Sequence, residues 1–285
     1  MATNPATSPS ILKTLFLSVD GGQIAYDDTG GSGPLVVAIP GMGDLRSEYR
    51  LLRPLLLQAG YRVVTMDVRG FGETSATWND CSAHAVGGDA LALIAHLNAG
   101  DAVILGNSFA AGAALWAAHD APTRVKGIAL IGPIVRDPNV PWIAKLALKI
   151  GFVGPWRVWF WCTYWNSLFP TSKPADHAQV KAALKQNLRE PGRMATLEAM
   201  INLSKADTAA ILSASRVPAF VLMGSRDADF PDAAAEARWL ATELRAESLI
   251  VEGAGHYPHT EMTEQVAPAL LTFIARAHGI AQIYH

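Results

Sequence analysis

Leu105-Gly106-Asn107-Ser108-Phe109-Ala110-Ala111-Gly112 is the stretch on which the reading of this chain turns. An apolar run from Val103 to Leu105 enters a serine with glycine two residues before it, and an alanine-rich helical pattern leaves toward Trp116. That order predicts a strand, a tight turn with Ser108 at its apex, and a helix. A serine hydroxyl is a poor nucleophile until a base takes its proton and a pair of donors stabilises the oxyanion that forms. Alone, such a serine is equally compatible with a helix N-cap. The rest of the chain decides between the two by supplying, or failing to supply, a base, an orienting acid and donors.

Working upstream, Leu35 to Ile39 is a continuous apolar run, expected of a strand buried on both faces, and it ends at Pro40-Gly41-Met42-Gly43-Asp44. A helical stretch from about Ser47 to Ala59 precedes a second buried strand, Tyr61 to Met66, which ends at Asp67-Val68-Arg69-Gly70-Phe71-Gly72. Residues Ile11 to Ala25 alternate around Asp20-Gly21-Gly22 and read as a hairpin. A helix through Ala90 to Leu97 leads to the Ser108 strand, and Val125 to Ile131 supplies the next strand. Downstream come a strand at Ala219 to Met223, a helix through Ala233 to Leu244, a strand at Ser248 to Val251 and a last helix from about Glu264 to Ala277. Strands alternating with helices predict an α/β fold, a mostly parallel central sheet with helices on both faces. In such sheets ligands sit outside the carboxyl ends of the strands, where the Ser108, Pro40 and Asp67 turns all fall.

Between about Val135 and Lys205 the alternation stops. Prolines at 138, 141, 155, 170, 174 and 191 punctuate helical pieces, and five of the eight tryptophans lie from Trp142 to Trp165. This predicts a helical cap inserted at 135–205 into a core domain made of 1–134 and 206–285. Aromatic residues at helical spacing usually pack inward. A cap also needs an apolar underside, so Trp142, Trp156, Trp159, Phe160 and Trp165 are the candidates to line a substrate space.

Composition narrows the function classes. Half of the 285 residues are hydrophobic and 17% charged, enough apolar side chain for a large core. A formal net charge of −2 with no basic cluster argues against nucleic acid as a partner. Cys81 and Cys162 have no metal-ligand spacing and read as two reduced thiols, consistent with a cytoplasmic protein. Met1 to Ser10 has no charged leader before an apolar block, so no signal peptide is expected. In the apolar segment from Ile150 to Pro170, Arg157, Gly154-Pro155, Thr163 and Asn166 argue against a membrane span.

Two polar clusters follow the last strands: Gly224-Ser225-Arg226-Asp227-Ala228-Asp229 and Gly253-Ala254-Gly255-His256-Tyr257-Pro258. The parts therefore arrive in the order Ser, Asp, His. With the Asp-x-Arg-Gly-x-Gly turn at Asp67, the chain from about Ile24 to its last helix resembles the α/β-hydrolase superfamily, and within it capped serine hydrolases such as carboxylesterases. The resemblance implies Ser108 as nucleophile, His256 as general base and Asp227 as the acid that orients it. It implies backbone N–H groups of Met42 and Phe109 as the oxyanion donors. Two positions depart from the family pattern. Pro40 stands where the oxyanion turn commonly has His, and Ala110 replaces the last glycine of the elbow, which is expected to set its helix slightly farther from the strand.

Alternatives remain at this stage. His259, beyond Pro258, reads better as a surface or capping residue than as the base. Asp229 is expected to point elsewhere on its turn, and Asp137 follows an earlier strand that carries the acid in some relatives. The resemblance implies hydrolysis of small to medium hydrophobic esters through an acyl-enzyme, without metal or organic cofactor. It implies a rate that falls as His256 protonates near its ordinary pKa of about 6.5. Serine at the elbow excludes the Asp-nucleophile chemistry of related dehalogenases and epoxide hydrolases. Carbon–carbon bond hydrolases and cofactor-free perhydrolases share the triad. The former bind carboxylates, for which Arg157 and Arg193 are the candidate partners. A non-catalytic receptor on the same scaffold is the reading from a different class. Homo-oligomerisation is left open by the sequence.

Overall fold

The computed structural model describes residues 12–137, 146 and 149–280. Eight strands form one sheet: β1 (Leu15–Val19), β2 (Gly22–Asp28), β3 (Leu35–Ile39), β4 (Arg62–Met66), β5 (Ala102–Asn107), β6 (Val125–Ile131), β7 (Ala219–Gly224) and β8 (Glu247–Val251). Their order across the sheet is β1-β2-β4-β3-β5-β6-β7-β8. The β1–β2 hairpin and the β2–β4 pair are antiparallel, and every other pairing is parallel. All residues of β3, β5 and β7 are buried, which is why their sequences are apolar without alternation.

Helices cover both faces. On one lie α1 (Leu52–Gln58) and α10 (Thr263–Ala277), whose Leu52, Leu56, Leu270, Phe273 and Ile274 pack on Val36, Val103, Leu105 and Phe220. On the other lie α2 (Ala83–Leu97), α3 (Phe109–Asp120) and α8 (Ala233–Leu244), over Val37, Ile39, Ile104 and Val221. Burying each such side chain contributes about 1.5–3 kcal/mol. Helix α2 begins seven residues before the stretch expected from sequence. Ser82 caps it by accepting from Ala85 N–H at 3.2 Å. Gly87 lies inside it because a β-carbon there would come within 2.7 Å of the Ala113 carbonyl oxygen of α3.

Between β6 and β7 the chain leaves the sheet for α4 (Arg157–Ser167), α5 (His177–Leu188), α6 (Arg193–Asn202) and α7 (Ala206–Ile211). Short α9 (Pro258–Glu261) precedes α10. Cys81 and Cys162 are buried free thiols. Among the described residues no helix is long and apolar enough to cross a membrane.

The topology itself selects a place for a ligand. Strand β3 pairs with both β4 and β5, and Ile39 is level with Gly106. From β3 the chain passes outward to β4 on one side; from β5 it passes to β6 on the other. Such a reversal opens a crevice outside the carboxyl ends of the two strands. The Pro40-Gly41-Met42 turn and Ser108 stand on its two sides.

Candidate active site

Ser108 joins β5 to α3 at φ 56°, ψ −121°. Two other described non-glycine residues have positive φ, Asn98 and Arg245, and both are ordinary left-handed helix caps. Ser108 lies outside that region, a conformation costing of order 1–3 kcal/mol that persists only where the surroundings enforce it. The enforcing contacts are visible. Ser108 N–H donates to the Ile131 carbonyl at 2.8 Å, and the Ser108 carbonyl accepts from Ala111 and Ile134. The turn is so tight that a β-carbon at Gly106 would lie 2.3 Å from the Ala110 oxygen. Ala110 itself is fully buried.

His256 and Asp227 come to Ser108's side of the sheet from the turns after β8 and β7. His256 Nδ1 lies 2.8 Å from Asp227 Oδ2, with the two side chains 2% and 0% exposed. Burial opposes charge on His256, but Asp227, Asp229 and, more weakly, Glu48 outweigh it and push the imidazole up to about 9. This corrects the ordinary value near 6.5 expected for an isolated base. Asn107, a polar residue inside an apolar strand, is fully buried; its Nδ2 donates to the Ile131 carbonyl at 3.0 Å and the His256 carbonyl at 3.3 Å. It ties the elbow to the histidine turn. Its signal in the sequence was only its polarity.

The Pro40 turn approaches the elbow closely: a β-carbon at Gly41 would sit 3.2 Å from Ser108 Cβ. Among the described residues no acceptor takes a hydrogen bond from the backbone N–H of Met42 or of Phe109, the first residue of α3. A short 3-10 helix, Arg46–Arg50, follows the turn and supplies Glu48, 3% exposed, whose Oε2 accepts from Gly41 N–H at 3.1 Å. Sequence reasoning did not single out Glu48. Its Oε1 lies 2.9 Å from His259 Nε2, in a geometry too bent for a full hydrogen bond. Burial raises Glu48 to about 8 and lowers His259 to about 3, so both are neutral at pH 7. His259 is fully buried, a correction to its reading as a surface residue; α9 turns it inward against the Tyr49 ring, 5.0 Å away.

Asp229 also departs from expectation. Its Oδ2 lies 3.4 Å from His256 Nδ1 rather than elsewhere on the turn. The donor atoms of Asp227, Asp229 and His256 fall within 4.8 Å of one another. The Nδ1 that would face a cation is engaged with a carboxylate, so we read the cluster as a proton-holding group. Asp137 is remote from it, accepting from Ser204 Oγ at 2.6 Å and Lys205 N–H at 2.9 Å. Asp67 and Arg69 brace loops: Asp67 accepts from Arg46 and Glu73 N–H, and Arg69 is paired with Asp89 at 2.6 Å.

Helix α4 lies over the site in a phase that differs from the expected one. Trp161 Nε1 donates to the Gly43 carbonyl at 3.0 Å, Tyr164 OH to Asp229, and Trp165 Nε1 to Asp44 Oδ2 at 2.8 Å. Trp156 and Trp159 are 48% and 63% exposed, which corrects their reading as pocket lining. The helical repeat that turns 161, 164, 165 and 168 inward carries 156 and 159 outward. Phe160 is half-buried against Phe152. Trp142 lies outside the described residues. Leu168 ends the helix, and its carbonyl accepts from His256 N–H at 3.1 Å. Glu261 reinforces this seam. Oε2 accepts from Gly255 N–H at 2.7 Å, and Oε1 from Thr171 and Ser172 N–H. A separate cleft of about 360 Å³ opens between α5 and the Arg46 and Glu73 loops, with none of Ser108, Asp227 or His256 in its lining.

A sequence model described as the alpha/beta hydrolase family matches residues 36–269, from β3 into α10. The chain belongs to the alpha/beta hydrolase family. An epoxide hydrolase 2 of Siraitia grosvenorii is 30% identical over 125 residues, 42% of this chain and 40% of that one. A dihydrolipoyllysine-residue acetyltransferase component of an acetoin cleaving system, from Pseudomonas putida, is 27% identical over 277 residues, 90% of this chain and 68% of that one. The chain spans less than half the length of the first curated relatives it matches. Among solved structures, an esterase from Exiguobacterium antarcticum superposes with TM-score 0.79 at 20% identity, covering 91% of this chain and 98% of that one. A thermophilic esterase from Thermogutta terrifontis gives 0.75 at 23%, covering 93% and 99%. At these identities the shared property is the hydrolase fold.

Proposed function

We propose that this alpha/beta hydrolase is a carboxylic ester hydrolase acting through an acyl-enzyme on Ser108. Ser108 Oγ attacks the ester carbonyl carbon while His256 Nε2 takes its proton, and the resulting imidazolium keeps its Nδ1–H on Asp227. The oxyanion is held by the N–H groups of Met42 and Phe109, whose turns face each other across the β3–β5 crevice. Collapse expels the alcohol, which receives the proton from His256. Water, deprotonated by the same imidazole, then attacks the acyl-enzyme; release of Ser108 yields the acid.

The observations that support this reading are the strained Ser108 and the buried His256–Asp227 pair, whose turns are tied together by Asn107. A serine serving only as an N-cap has no need to be held at φ 56°; a receptor on the same scaffold would keep the elbow, and it is separated from an enzyme by whether Ser108 labels with a fluorophosphonate. Residues 135–205 are proposed as a cap whose inward aromatic face, Trp161 and Trp165 with Tyr164, favours an uncharged ester of small to medium size as the partner. The carboxylate-binding reading draws no support from its two arginines: Arg157 is exposed, and Arg193 is spent on Glu190 and the carbonyls of Thr74 and Gly72. The test is hydrolysis of short-chain aryl esters by wild type and Ser108→Ala. The variant is expected to lose at least about 10³-fold in kcat/KM; wild-type turnover by Ser108→Ala would remove the reading.

A further inference from the structure

We propose that Asp229 is a second carboxylate facing the imidazole of His256, aimed by Tyr164 of α4, so that two acids stabilise the charge at Nδ1 and α4 is coupled to the strength of the base. The inference rests on His256 being the general base. Asp227 Oδ2 stands 2.8 Å and Asp229 Oδ2 3.4 Å from the same nitrogen. Asp229 N–H donates to Asp227 Oδ1 at 3.0 Å, which folds the Asp227-Ala228-Asp229 turn so that both carboxylates face the ring. Tyr164 OH donates to Asp229 Oδ1 at 2.5 Å and fixes that carboxylate from above. Asp229 Oδ2 has no hydrogen-bond partner among the described residues. An unpartnered buried carboxylate oxygen is costly unless a cation faces it. The imidazolium that forms when Ser108 gives up its proton is such a cation.

The charged and titratable groups around His256 come from four elements. Asp227 and Asp229 lie after β7, Glu48 in the 3-10 helix, His259 in α9, and Tyr164 in α4; the Tyr257 ring meets the imidazole edge-on at 5.3 Å. Glu48 and His259 are neutral at pH 7, and Glu48 adds its weaker effect to that of the two aspartates only as it ionises near 8. Burial drives the Asp229 carboxyl up and Asp227 adds to it, while His256 and the Tyr164 hydrogen bond draw it down. Tyr164 thus works against the burial that favours the neutral form of the second acid. With both acids in place the proton on His256 is held to higher pH; without Asp229 the base is weaker but is neutral in more of the enzyme at pH 7.

The test reads His256 directly, by ring-nitrogen NMR titration of the resting protein, with the resonance assigned through His256→Gln. Asp229→Asn is expected to lower the midpoint by about one pH unit. The acid limb of kcat/KM should move down by the same amount, raising the rate near pH 6–7 by up to about tenfold relative to the plateau. Tyr164→Phe should shift it in the same direction by less, and should add nothing in the Asp229→Asn background. In an Asp227→Asn background, loss of Asp229 should cut residual activity at least about tenfold more. Asp229→Ser serves as a second variant should Asp229→Asn fold poorly. A midpoint unmoved in a folded Asp229 variant overturns the role of Asp229, whatever happens to stability. The NMR midpoint needs no turnover, so failure of Ser108 to react with a fluorophosphonate overturns the hydrolase reading alone.

Discussion

Acidifying the solution from pH 9 to pH 6 is the perturbation that separates this active site from one built on an unperturbed histidine. In its proposed role as general base, His256 works only when neutral. Burial favours that neutral form, but Asp227, Asp229 and Glu48 outweigh it and hold the proton to about pH 9. About 1% of the resting enzyme then carries a neutral base at pH 7, against about three-quarters for an imidazole of pKa 6.5. The value of kcat/KM should therefore climb nearly tenfold per pH unit from pH 6 to 8 and level off only near 9. The assay is initial-rate hydrolysis of an uncharged aryl ester, corrected for spontaneous hydrolysis, at constant ionic strength and well below KM. A neutral substrate matters because the limb then belongs to the free enzyme. An acid limb at or below pH 6.5 with a flat rate above 7 would refute the claim that two carboxylates act on the base.

Three further outcomes follow from named contacts. Gly106→Ala puts a methyl group 2.3 Å from the Ala110 oxygen, on backbone that cannot yield cheaply; it should cost about 1–3 kcal/mol in urea unfolding and slow fluorophosphonate labelling of Ser108, and wild-type values for both would contradict the elbow geometry. Glu48→Gln keeps an acceptor for Gly41 N–H while Glu48→Leu removes it, so kcat should be near normal in the first and fall about tenfold or more in the second with KM little changed; equal kcat in the two would show that Glu48 does not position the oxyanion turn. Glu261→Ala strips the acceptor from the N–H groups of Gly255, Thr171 and Ser172 and should lower stability by about 2–4 kcal/mol, measured as a shift in urea midpoint at unchanged m-value.

The residues legible in the sequence are those whose role follows from chain position. Ser108, Asp227 and His256 each come just after an apolar run, and strands of a parallel sheet all end at the same edge. Order along the chain therefore carried them to one place. Asp229 and His259 were misread because an offset of two or three residues within a turn does not say which way a side chain faces; the Asp229 N–H bond to Asp227 and the short helix α9 decide it. Glu48 was invisible because its partner, Gly41 N–H, is a backbone group that leaves no trace in composition. The tryptophans show the same limit. Their clustering announced an aromatic α4, but its phase depends on Trp161 reaching the Gly43 carbonyl and Trp165 reaching Asp44, contacts across more than a hundred residues. The early start of α2 was masked by Gly87-Gly88, two weak helix formers, of which Gly87 makes the close approach to α3.

Mass spectrometry of the intact and proteolysed protein after rapid quenching from a slow-leaving acyl ester tests the central claim most directly. The expected result is one acyl group per chain, on the peptide containing Ser108, preserved by an acid quench that protonates His256 and absent from Ser108→Ala. Turnover with no acyl adduct, or an adduct on another residue that persists in Ser108→Ala, would contradict it.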